Sequence, residues 1–98
     1  MKRKVRLTQE EIRVIKDTIK KYDENAKIVL FGSRVDLNKK GGDIDLLVIS
    51  KKLKLMDKLK ILREIKNFLG ERKIDLIITD NVKKSAFYEL AYEEGVEL

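Results

Sequence analysis

The sequence predicts an α+β fold built on a small mixed β-sheet, and three observations carry that reading. Helical and strand-like periodicities alternate along the 98 residues. The loop between the first two strand-like runs is too short to hold a crossover helix, so those strands pair antiparallel. A helical run of about 16 residues separates the second strand from the third, which makes a right-handed βαβ unit with parallel strands.

Each element has a local reason. Thr8 and Glu11 have the spacing of a capping box, so the first helix starts at Thr8. Ile12, Ile15, Ile19 and Tyr22 then recur at helical intervals on one apolar stripe, and Asp23 to Asn25 end it. Lys27–Phe31, KIVLF, is a β-rich run and gives strand 1. Residues 32–42 are a loop, with Gly32, Asn38, Gly41 and Gly42 as its turn residues. Asp43–Ile49 is strand 2. Its apolar residues run unbroken after Asp45, as in a strand covered on both faces.

The second helix is expected over Leu53–Leu69, with Leu55, Leu59, Leu62, Ile65 and Leu69 as its core stripe and Gly70 as its stop. Its lysines (Lys54, Lys58, Lys60 and Lys66) form a solvated face. Lys73–Thr79 is strand 3. Asp80 or Asn81 caps a last helix that runs to about Glu93, with Phe87, Leu90 and Ala91 inward, and Gly95 ends it. Val96 to Leu98 form a terminal edge strand.

A chain of this length is expected to be a single domain, residues 1–98. The composition narrows its chemistry. Without cysteine there is no disulfide, thiolate zinc site or thiol nucleophile, and without histidine there is no imidazole base or ligand. Acid–base work falls to carboxylates, Lys or Tyr. A net charge of +6 favours anionic partners. No segment approaches a membrane span and the basic N-terminus lacks an apolar core, so a cytoplasmic protein is expected.

The informative stretch is GSRVDLNKKGGDIDLLV, Gly32 to Val48. Residues i and i+2 of a strand share a face, about 6–7 Å apart, so Asp43 and Asp45 point the same way and Ile44 the other. A parallel strand 3 brings Asp75 to the same end of the neighbouring strand. An antiparallel strand 1 delivers Gly32 and Ser33 to that edge. Three close carboxylates repel unless a cation lies among them. Mg²⁺ suits such a site, held by carboxylates and substrate phosphates, and two ions bridged by carboxylates form the clamp used for displacement at phosphorus. Gly32 lets the backbone approach a phosphate, Ser33 adds a hydroxyl and an N–H, and Arg34 offers a planar fork to phosphate oxygens or to an ion pair.

The pattern Gly32-Ser33, nine residues, Asp43-x-Asp45, with a third acid in KIDLII, resembles the DNA polymerase β-type nucleotidyltransferase superfamily. The spacing is one residue shorter than in its commoner form. The chain's size and its closing AYEEGVEL are similar to the minimal nucleotidyltransferase (MNT) branch. The resemblance implies a nucleotidyltransferase fold and transfer of a nucleoside monophosphate, AMP from ATP, to an acceptor hydroxyl with release of pyrophosphate. It implies that Gly32 and Ser33 hold the triphosphate and that Asp43 and Asp45 bind Mg²⁺, with Mn²⁺ as a substitute. Asp75 would help bind the catalytic metal and activate the acceptor. It further implies a small helical HEPN-type protein as partner and an antitoxin role.

Two other classes stand beside this reading. One is a non-catalytic nucleotide- or protein-binding antitoxin module. The other is a basic nucleic-acid binder, against which count the interspersed charges and the lack of a recognition helix, RNP motif or aromatic platform. An exposed apolar face on the last helix would favour a homodimer.

Overall fold

A computed structural model of the chain describes residues 7–32, 44–70 and 72–98. The expected loop beyond Gly32, with Ser33 and Arg34, and Asp43, expected as the first residue of strand 2, lie outside the described residues.

The elements run α1 (Gln9–Tyr22), β1 (Lys27–Phe31), β2 (Ile44–Ile49), α2 (Leu55–Leu69), β3 (Ile74–Thr79), α3 (Ala86–Glu94) and β4 (Val96–Glu97), with a 3₁₀ turn at Val82–Lys84 before α3. The sheet has the order β3-β2-β1-β4. β1 is antiparallel to β2 and to β4, and β2 is parallel to β3. The mixed sheet read from the sequence is therefore present, with the βαβ unit and the terminal edge strand in their expected places.

Burial follows the two faces of the sheet. On one face Ile28 and Leu30 of β1, Ile44, Leu46 and Val48 of β2, and Ile74 and Leu76 of β3 pack against Ile15 and Ile19 of α1 and Ile61 and Ile65 of α2. On the other, Val29 and Leu47 pack under Ala91 of α3, with Phe31, Ile77, Val82 and Tyr88 around them. Leu46, Leu47 and Val48 are all fully buried, which is why β2 reads as a continuous apolar run rather than an alternating one.

The α1 start is held by the capping box: Thr8 Oγ1 accepts from the Glu11 N–H at 3.1 Å, and a Glu11 carboxylate oxygen accepts from the Thr8 N–H at 2.8 Å. The other Glu11 oxygen accepts from Arg72 just before β3. Glu64 on α2 accepts from both the Lys21 ammonium and the Tyr22 hydroxyl, which ties the end of α1 to α2.

Three expectations need correction. α2 begins at Leu55, not Leu53; the Lys54 N–H donates to the Asp57 carboxylate at 2.9 Å, and Leu53 is buried ahead of the helix. The core stripe of α2 is Ile61 and Ile65, flanked by Leu62 and Leu69, whereas Leu55 and Leu59 are 67% and 53% exposed. At about 100° per residue, Leu59 stands roughly 160° from Ile61 around the helix, well off its inward face. The last helix is interrupted. Asn81 caps only the 3₁₀ turn, by accepting from the Lys83 N–H, and Ser85 then caps α3 by accepting from the Phe87 N–H. That restart turns Ala91 inward and leaves Phe87 and Leu90 about half exposed.

Gly95 follows α3 because the chain there passes over β1. A Cβ at this position would stand 2.5 Å from Val29 Cγ1 and 2.7 Å from the Leu30 carbonyl oxygen. Among the described residues, no helix is long and apolar enough to cross a membrane.

Candidate active site

Strand register decides which side chains meet. Asp45 of β2 is the direct neighbour of Asp75 on the parallel β3, and on the other side it pairs with Phe31 at the end of antiparallel β1. Neighbouring strands lie about 4.8 Å apart, so the two carboxylates rise side by side. Ile44 and Ile74, one residue earlier on each strand, point into the α1/α2 core. Alternation therefore places Asp45 and Asp75 on the α3 face of the sheet. Asp45 is half-buried and Asp75 exposed.

The chain leaves β1 through Gly32, whose φ of +78° lies in the left-handed region. Its α-carbon is packed against Asp45. A Cβ there would overlap Oδ2 of Asp45 and stand 3.2 Å from its Cγ. Glycine is thus required twice at this position, once by the backbone angle and once by the neighbouring carboxylate.

The two acids open into a cleft of about 450 Å³. Phe31 and Phe87 form one wall, their rings edge-to-face with centroids 5.8 Å apart. Lys58 and Leu62 of α2 also line it. Lys58, expected on a solvated helix face, is half-buried at this cleft instead. A lysine on a helix reads as solvated unless the phase of that helix is known, so periodicity alone could not single it out. Phe87 likewise read as core, and it is a wall of the cleft.

Of the residues singled out from the sequence, Gly32, Asp45 and Asp75 come together here. Among the described residues no three acids or other ligating side chains form a group able to hold a metal ion by themselves. The described donor set is a pair of hard oxygen ligands from adjacent strands. Mg²⁺ is usually held by one or two carboxylates, with water and substrate phosphates completing its shell, so the pair fits that ion.

A family model described as polymerase beta, nucleotidyltransferase matches residues 13–98, nearly the whole chain. The chain belongs to the polymerase beta nucleotidyltransferase family. No curated protein matches it. Among the described residues, the three α-helices and the four-stranded mixed sheet agree with a nucleotidyltransferase domain, and the match covers every strand that builds the cleft. At the level of the family, the chain is a nucleotidyltransferase.

Proposed function

We propose that this nucleotidyltransferase moves a nucleoside monophosphate, AMP from ATP, onto an acceptor hydroxyl in a Mg²⁺-dependent reaction. The observation that supports it most is the register that sets Asp45 beside Asp75 while Gly32 abuts Asp45. Asp45 and Asp75, with Asp43 two residues earlier, would hold the metal. When bound, Mg²⁺ supplies positive charge to the phosphate oxygens as charge builds at phosphorus.

The chain's own groups have separate tasks. Gly32, lacking a side chain, lets phosphate approach the backbone beside Asp45, with Ser33 and Arg34 following as further phosphate contacts. Lys58 places an ammonium on the cleft wall, where it offsets triphosphate charge. Asp75, the more exposed acid, accepts the proton of the acceptor hydroxyl. The acceptor oxygen then bonds to the α-phosphorus, the α–β bridging bond breaks, and pyrophosphate leaves. Phe31 and Phe87 give the cleft an apolar wall.

We place the acceptor on a second protein of the small helical HEPN type, which would give the chain an antitoxin role. The half-exposed Phe87 and Leu90 on α3 support this, since they put apolar surface beside the cleft for a partner to cover.

Calorimetric titration of ATP with Mg²⁺ tests the site. Saturable binding that requires the metal and is lost in Asp45→Asn, with that variant still folded, supports the reading. Absence of any metal-requiring binding component, or its full retention in Asp45→Asn, contradicts it.

A further inference from the structure

The α3 face of the sheet has a second opening at its other end. Lys27 lies four residues from Phe31 on β1, and Ile49 four residues from Asp45 on β2, so about 13 Å separates the two ends. Tyr88 and Ala91 of α3 cover the strands between them. Beyond α3 lies a cavity of about 570 Å³, larger than the carboxylate cleft and within the range of small-molecule sites.

Its positive charge comes from three lysines on two segments. Lys27 begins β1, and Lys51 and Lys52 follow β2; all three line the cavity and are exposed. None of them makes an ion pair among the described residues. The acids of the cavity have closer partners than these lysines, although the Lys52 charge reaches Asp23 and the Lys51 charge reaches Asp80. Asp23 is buried, and its carboxylate accepts from the Ser50 hydroxyl and from the Asn25 N–H at 3.0 Å. Asp80 is paired with Lys84 at 2.7 Å. Ser50 also accepts from the Lys52 and Leu53 N–H groups at 3.1 Å, which fixes the turn that carries the two lysines.

The rest of the lining is of a different kind. Tyr92 contributes a partly exposed ring, and Ile49 and Val82 contribute apolar surface. Asn81 uses its side-chain oxygen on the Lys83 N–H, so what it can offer a ligand is its amide N–H₂. Ammonium groups on one side, with a flat ring and an amide donor on the other, complement a phosphate ester that carries a base.

We propose that this cavity is a second nucleotide-binding site, separate from the carboxylate cleft and independent of divalent metal. Its charge is supplied by lysines, so it takes the phosphate directly, and the base rests on Tyr92. The ligand is either a free nucleoside monophosphate or the phosphorylated end of an oligonucleotide. This assignment does not depend on catalysis at Asp45 and Asp75.

Amide NMR tests it on the Asp45→Asn, Asp75→Asn protein in EDTA, which silences metal-dependent binding in the cleft. AMP, ribose 5-phosphate and a short 5′-phosphorylated oligonucleotide are titrated separately. Expected are shifts at Asn25, Lys27, Lys51, Asn81 and Tyr92, with none at Phe31 and Phe87. Lys27→Glu with Lys52→Glu should weaken binding at least about tenfold. Tyr92→Leu should weaken AMP and leave ribose 5-phosphate unchanged. Shifts with AMP assign the site to free nucleotide, and shifts with the oligonucleotide alone assign it to strand ends. Absence of shifts with both at millimolar concentration, shifts confined to the cleft, or insensitivity to the lysine and tyrosine variants would overturn the proposal.

Discussion

The α-carbon of Gly32 rests against the carboxylate of Asp45, and the two residues constrain each other. Asp45 is fixed by β2, paired to β1 on one side and β3 on the other. The chain can therefore leave β1 past this carboxylate only without a side chain. Gly32→Ala should lower stability by about 1–2 kcal/mol, from a positive φ that alanine resists and from displacement of Asp45. That corresponds to roughly 4–16 °C in Tm for a domain of this size. Mg²⁺–ATP affinity should fall at the same time. Thermal unfolding and calorimetry on one preparation check both.

Asp75→Asn separates chemistry from folding. Asp75 is exposed, so its replacement should change stability by no more than about 0.5 kcal/mol. The turnover rate should drop by about 10²–10⁴-fold through loss of the proton acceptor. Denaturant unfolding and single-turnover kinetics would show the contrast. A large loss of stability with little change in rate would assign Asp75 to structure instead.

The phase of α2 predicts opposite outcomes for two neighbouring apolar residues. Ile61→Ala removes a fully buried side chain of the main core and should cost about 2–5 kcal/mol. Leu59→Ala, at a half-exposed position, should stay within about 0.5 kcal/mol. Urea midpoints of the two variants decide this directly.

Stability should fall in acid through Asp23. The Ser50 hydroxyl chiefly holds the Asp23 carboxyl below its ordinary value, burial opposes this, and the Asn25 N–H and the Lys52 and Lys20 charges add to the lowering. A carboxyl whose folded value is depressed contributes stability at neutral pH and loses it as pH falls below about 4. Glu64, lowered by Lys21 and Tyr22, and Asp80, lowered by Lys84, act in the same direction, but both are solvent-screened and contribute little. Ser50→Ala should cost about 1–3 kcal/mol at pH 7, and its gap from the parent should narrow below pH 4. Thermal unfolding across pH 2–7 measures that gap (range chosen to bracket the carboxylate values).

The topology was legible because loop lengths left little choice. The loop between β1 and β2 could not hold a crossover helix, and the α2 connection forced β2 and β3 parallel. The same reasoning expected Asp75 at the end of the sheet where Asp45 lies, and the register sets the two side by side. The phase of α2 was harder to read. Leu55, Met56, Leu59, Ile61, Leu62 and Ile65 spread apolar character around the helix, and only packing selects Ile61 and Ile65. The break before α3 was hidden because Ser85 caps from inside an otherwise helical run. Lys58 could be placed only once that phase was known. The fit of Gly32 to Asp45 needed three dimensions, although the glycine itself stood out in the sequence.

The central claim is nucleotidyl transfer at Asp45 and Asp75, and labelled ATP tests it most directly. The protein would be incubated with Mg²⁺ and candidate acceptor proteins, with ATP labelled at either the α- or the γ-phosphate, and with Asp45→Asn in parallel. The account predicts transfer of α-label alone, release of pyrophosphate, and loss of both in the variant. Transfer of γ-label, or α-label transfer that persists in Asp45→Asn, would contradict it.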